Sequence, residues 1–135
     1  LSSNIQSIRS RAFENCNGLD SIIFPDGLET IGDNAFSGCS FVYKSITIPD
    51  SIKNIGSGVF KNCQLSDVTF PEGFDYIPDS FFSGCSYLNS FDFPSTIKTI
   101  GDNAFSRSSI SKITFPEKLE SIGNSAFSNC NSIRG

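Results

Sequence analysis

Residues Ile31-Gly32-Asp33-Asn34-Ala35-Phe36-Ser37 return unchanged as Ile100-Gly101-Asp102-Asn103-Ala104-Phe105-Ser106, a displacement of 69 residues or three periods of 23. Looser copies begin at Ile8, Ile55, Ile77 and Ile122, each placing a Phe five residues on, at Phe13, Phe60, Phe82 and Phe127. Self-similarity at a fixed period of this size marks a stack of like units, none of which can bury its apolar face alone. No other feature limits the possible folds as strongly.

The second unit shows the pattern: Leu28-x-x-Ile31-Gly32, then Ala35-Phe36-x-x-Cys39, then Ile46-x-Ile48-Pro49. Unit-closing prolines fall at 25, 49, 71, 94 and 116, so the units run 22–24 residues. The differences sit between the Cys position and the following apolar pair, where a loop absorbs them. Ile22-x-Phe24, Val68-x-Phe70 and Ile113-x-Phe115 alternate with period two, which predicts a short strand closed by proline. Pro25-Asp26-Gly27 and its counterparts carry tight-turn chemistry. The Ile-Gly-x-x-Ala-Phe segment is too short and too rich in Gly and Asn for a long helix, and predicts an extended piece or a single helical turn.

Stacking brings like positions to strand spacing, about 4.8 Å. Phe13, Phe36, Phe60, Phe82, Phe105 and Phe127 then form an aromatic spine, and Phe24, Ile48, Phe70, Phe93 and Phe115 a second apolar column. Glu29, Lys53, Asp75, Lys98 and Glu120 alternate in sign along a third. Opposite charges on neighbouring strands attract, so this column reads as control of register on a wetted surface.

The recurrent Ile-Gly-x-x-Ala-Phe-x-x-Cys-x-x-Leu-x-x-Ile-x-Phe/Ile-Pro resembles the BspA-like leucine-rich repeat family over essentially the whole chain. Pro78 in place of Gly and Ser108 in place of Cys are the departures. The resemblance implies a leucine-rich repeat solenoid, β-dominant and of α/β type. It would be a right-handed superhelix of about five to six repeats with a parallel concave sheet. It also implies a surface-displayed or secreted adhesin that binds proteins of the host matrix or of other cells. Some protist members are intracellular, so the alternative is a cytoplasmic scaffold for signalling partners. Residues 1–135 read as one repeat domain, excised from a longer array because the sequence opens mid-repeat. Its uncapped terminal repeats would then permit end-to-end self-association.

Cys16, Cys39, Cys63, Cys85 and Cys130 share one repeat position, where Ser108 stands in the fifth unit. Close Cys pairs of the zinc-binding kind are lacking, and there is no His, so no metal site is expected. Side chains held parallel at strand spacing are too far apart for disulfides, which need Cβ atoms near 3.8 Å. Small, buried, reduced thiols beside the spine are expected. Absence of His also removes the commonest general base and the Ser-His and Cys-His nucleophile pairs. No phosphate-binding glycine loop is present. The chain therefore reads as non-enzymatic, without cofactor.

A net charge of −4 with no basic run argues against nucleic acid as partner, and no apolar run is long enough to insert into a membrane. Protein remains the expected partner. Residues flanking the buried strand positions point outward, among them Ser45, Thr47, Asp67, Thr69, Ser90, Asp92, Lys112 and Thr114. These eight are the candidate partner-binding residues of the concave face. They are small and polar, with no large aromatic anchor among them, which predicts weak binding strengthened by repetition. Lys112-Ile113-Thr114-Phe115 also matches a short basic–aliphatic–x–aromatic docking pattern. Its two apolar residues fall on core positions, so they are expected to be buried.

Overall fold

A computed structural model of the chain describes residues 1–134. Two-residue strands recur wherever a β-branched Ile precedes the Gly position. They are β1 (Ser7–Ile8), β2 (Thr30–Ile31), β4 (Asn54–Ile55), β6 (Tyr76–Ile77), β7 (Thr99–Ile100) and β8 (Ser121–Ile122). Two longer strands, β3 (Ser45–Thr47) and β5 (Asp67–Thr69), lie at the Ile-x-Ile/Phe-Pro position. All pairing is parallel, in sheets of order β1-β2-β4, β3-β5 and β6-β7-β8. No helix forms among the described residues.

Both apolar segments carry strands, the first as the extended piece the sequence allows and the second less often than its alternation predicts. Ile-Gly-x-x-Ala-Phe supplies the recurring strand, whereas the alternating segment pairs regularly only between the second and third units. In the fourth unit Asp92 stands where its neighbours have Thr69 and Thr114, and Asp is a poor strand former. No comparable departure explains why residues 22–24 stay unpaired.

Hydrogen-bond accounting explains the Ala-Phe segment. After Gly32 the N–H groups of Ala35, Ser37 and Cys39 close tight turns onto Gly32, Asn34 and Phe36. The intervening N–H groups of Asn34, Phe36 and Gly38 donate instead to Ser57, Val59 and Lys61 of the next unit. Arg11, Phe13 and Asn15 do the same to Asp33, Ala35 and Ser37, and the arrangement repeats at every junction. Such alternation needs a left-handed residue two before and two after each Phe. Asn34 and Gly38 (φ 54° and 74°), Gly58 and Asn62 (64° and 57°) and Asn103 and Arg107 (56° and 58°) occupy these places. Gly and Asn tolerate that conformation best, which accounts for their abundance here.

Between the turns the spine rings stack: Phe13 on Phe36 at 5.2 Å, Phe36 on Phe60 at 5.8 Å, Phe82 on Phe105 at 5.2 Å and Phe105 on Phe127 at 5.1 Å. Phe36, Phe60, Phe82 and Phe105 are wholly buried. So are Phe41 and Phe81, which periodicity did not single out as spine residues. Close stacking leaves no room for a side chain after the strand Ile. A Cβ on Gly56, Gly101 or Gly123 would lie 2.5–2.6 Å from the backbone nitrogen of Asp33, Asp79 or Asp102.

The alternating charge column contributes one ion pair, Lys53 Nζ to Glu29 Oε1 at 2.9 Å, and both side chains are largely exposed. Screening by solvent makes such a pair worth well under about 1 kcal/mol. Phe115 departs from its expected burial. It is 43% exposed. Its ring still rests on Phe93 at 6.0 Å and Phe127 at 5.8 Å, so one face is packed and the other open.

Phe60→Ala should lower stability by about 3–5 kcal/mol, the usual result of emptying a buried aromatic site. Gly56→Ala should cost about 1–3 kcal/mol through backbone overpacking. Gly27→Ala, where nothing lies within 4 Å of the added carbon, should be near neutral. Urea midpoints of the three variants test the ranking; equal midpoints for Gly56→Ala and Gly27→Ala would contradict the close stacking.

Candidate functional site

The outward residues of the strand segment do face solvent. Ser45, Thr47, Thr69, Ser90, Asp92, Lys112 and Thr114 are exposed and Asp67 is half-buried, alternating with buried Ile46, Ile48, Val68 and Phe70. They do not form one uniform stripe. Ser45, Thr47, Asp67 and Thr69 lie in register on the paired strands β3 and β5, Ser45 opposite Asp67 and Thr47 opposite Thr69. Ser90, Asp92, Lys112 and Thr114 line a groove of about 620 Å³ with Phe91, Phe93 and Phe115 as its apolar wall and Glu117 and Lys118 at its rim. The candidate face is therefore two patches, a flat polar ladder over the second and third units and a groove over the fourth and fifth.

Electrostatics differ between the patches. Burial lifts the Asp67 carboxyl above its ordinary value; a hydrogen bond from Val68 opposes this, and the charge of Asp92 adds to it. The groove carries Asp92, Lys112, Glu117 and Lys118, acidic and basic groups interspersed. It thus combines mixed charge with one apolar wall. No cluster of three or more His, Cys, Asp or Glu able to hold a metal occurs among the described residues.

Aromatic rings lie near these positions as well, although none is among the eight. Phe115 opens onto the groove. Tyr43, 67% exposed, meets Tyr87 edge to face at 4.8 Å, next to exposed Val42. Tyr43 sits at φ 54° and Phe41 at φ 31°, both in the extended loop after Cys39. Hydrogen bonding with Tyr87 raises the Tyr43 phenol above its ordinary value. The 24-residue spacing from Pro25 to Pro49 signalled the longer loop, but not that its tyrosine would reach across to the fourth unit.

The cysteine column proves to be hydrogen-bonding machinery. Cys39 Sγ donates to Phe13 O at 3.0 Å, Cys63 to Phe36 O at 3.0 Å, Cys85 to Phe60 O at 3.1 Å and Cys130 to Phe105 O at 3.0 Å. Each thiol thus ties its unit to the spine carbonyl of the unit before. Ser108 carries a shorter side chain and pairs instead with Cys130 Sγ at 3.4 Å. Burial pushes the Cys39 thiol up to about 11 and the Cys85 thiol up to about 12, and raises Cys63 further still. All three stay protonated donors across the physiological range.

The same repeat is recognised by comparison with known families. The profile of the BspA type leucine rich repeat region matches six copies across residues 6–134. The chain belongs to that family. Among solved structures it is similar to a leucine rich cell surface protein of Faecalibacterium prausnitzii A2-165, at TM-score 0.83 and 31% identity over 98% of this chain and 36% of that one. It is also similar to a leucine-rich repeat protein of Bacteroides ovatus, at TM-score 0.75 and 25% identity over 99% of this chain and 47% of that one. The Treponema pallidum leucine rich repeat protein follows, at TM-score 0.68 and 29% identity over 99% of this chain and 52% of that one. The chain thus spans about a third to a half of the length of these relatives. No curated protein matches it at significant similarity.

Raised thiol values set the alkaline behaviour of this BspA-type module. The unfolded chain loses thiol protons from about pH 9, while the folded chain holds those of Cys39 and Cys85 to about 11 and 12. The unfolded state then binds fewer protons, so stability present below pH 9 falls as pH rises through 11 to 12. A Cys39→Ser, Cys85→Ser variant should lose less stability over that interval than the natural chain, measured by urea midpoints at successive pH. Parallel curves would contradict the protonated-donor role.

Proposed function

We propose that this chain is the protein-binding part of a surface-displayed or secreted adhesin, contacting matrix or cell-surface proteins through the face that carries the polar ladder and the groove. The observation that carries the reading is the convergence of Ser90, Asp92, Lys112 and Thr114 on one groove walled by Phe93 and Phe115. An apolar contact ringed by fixed polar groups is the usual make-up of a recognition site. The description of the Faecalibacterium relative as a cell surface protein supports the location. The flat ladder of Ser45, Thr47 and Thr69 adds area with little energy per residue, consistent with binding that gains strength from repetition.

Antibody raised against the chain should label intact, unpermeabilised cells. Labelling only after permeabilisation would overturn the surface reading in favour of a cytoplasmic scaffold. For a ligand found by screening purified matrix and cell-surface proteins, Asp92→Asn combined with Lys112→Ala should weaken binding at least roughly tenfold, about 1.4 kcal/mol, in biolayer interferometry. Exchange of Asp26, which lies outside both patches, should leave binding unchanged. Equal loss from both variants would place the contact elsewhere.

A further inference from the structure

The junction between the third and fourth units differs from every other. Three residues of the fourth unit depart from their columns together: Tyr76 for a small polar residue, Pro78 for glycine, and Phe81 for Ala or Val. Elsewhere the N–H after the strand Ile closes the ladder, Gly32 to Ile8, Gly56 to Ile31, Gly101 to Ile77 and Gly123 to Ile100, all at 2.7–2.8 Å. Pro78 has no N–H to give Ile55, and its Cβ occupies the space that the close approach requires to be empty.

The consequences run through the whole cross-section. Strands β4 and β6 do not pair, so the strand ladder divides here into β1-β2-β4 and β6-β7-β8. The Tyr76 hydroxyl takes up the Ile55 groups instead, 3.3 Å from its carbonyl and 3.5 Å from its nitrogen. Both distances are at the long end of hydrogen bonding. In the spine, Phe81 wedges edge-on between Phe60 at 5.5 Å and Phe82 at 4.8 Å, interrupting the stack. On the opposite side β5 has no partner in the fourth unit. The backbone bonds that remain across this junction are Gly58 to Asp79, Phe60 to Phe81 and Asn62 to Ser83, with the Cys85 thiol on Phe60 O beside them.

We propose that the array carries a flexural joint between Ile55 and Tyr76, pivoting on the three-bond turn ladder 58–62 to 79–83. Backbone bonds on both sides of a cross-section resist bending, whereas here they run along a single line and the other side is held by side-chain packing, Phe70 on Phe81 at 5.4 Å and on Phe91 at 5.9 Å. The joint lies between the two surface patches: Ser45, Thr47, Asp67 and Thr69 belong to units before it, and Ser90, Asp92, Lys112 and Thr114 to units after it. On the binding reading above, a partner spanning both patches selects one bend from several. The joint itself stands without that reading.

Residual dipolar couplings of the weakly aligned, ¹⁵N-labelled chain test it with no ligand present. Residues 1–73 and 74–134 should require alignment tensors of different magnitude; one tensor fitting both halves overturns the joint. By hydrogen exchange the Ile55 amide should exchange at least roughly tenfold faster than those of Ile31 and Ile77, since local opening needs less free energy where bonds are fewer. Equal protection overturns it as well. Pro78→Gly with Tyr76→Thr restores the N–H and the empty space, and should bring the tensors together and protect Ile55. If that variant fails to fold, the two measurements on the natural chain still decide the matter.

Discussion

The structure depends on one alternation in the backbone: every second N–H of the Ala-Phe segment stays within its unit, and every other one crosses to the next. Left-handed residues on both sides of each Phe make this possible, and the stacked rings fill the space the turns enclose. The short strands are secondary to this. Two paired residues per unit would be marginal alone, but in series with three crossing bonds they complete a continuous ladder. Where a strand pairing fails, between Ile55 and Tyr76, the turn ladder still holds the units together.

Column chemistry follows from the same geometry. Glycine after the strand Ile is a steric requirement set by the backbone of the previous unit, not a turn preference. Cysteine at the end of the segment supplies a weak second donor of the right reach to a carbonyl that already accepts the turn bond of its own unit. Buried polar side-chain atoms are all partnered among the described residues. A repeat built this way tolerates single substitutions, as Ser108 shows, because each unit leans on two neighbours. It tolerates several at one junction less well, as the Tyr76–Pro78–Phe81 group shows.

The outward face is permissive by contrast. Its residues are exposed whatever their identity, so they are free to vary with the partner. Their division into a ladder and a groove arises from pairing differences beneath them: Thr69 sits on a paired strand, while Asp92 sits on a segment that does not pair.

The 23-residue period and its Ile-Gly-x-x-Ala-Phe-x-x-Cys signature determined the solenoid, the family, the Phe spine and which positions face outward, because each is a property of spacing and residue type. The tertiary structure alone decided the rest. It showed that strands form before the Gly position in all six units but before the Pro in only two, since backbone pairing depends on how units meet. It placed Tyr43 against Tyr87, because that contact depends on a neighbour far along the chain. It also gave Pro78, a single departure in the sequence, its place at the seam of the array, since the N–H it lacks and the space it fills matter only against Ile55 and the unit before it.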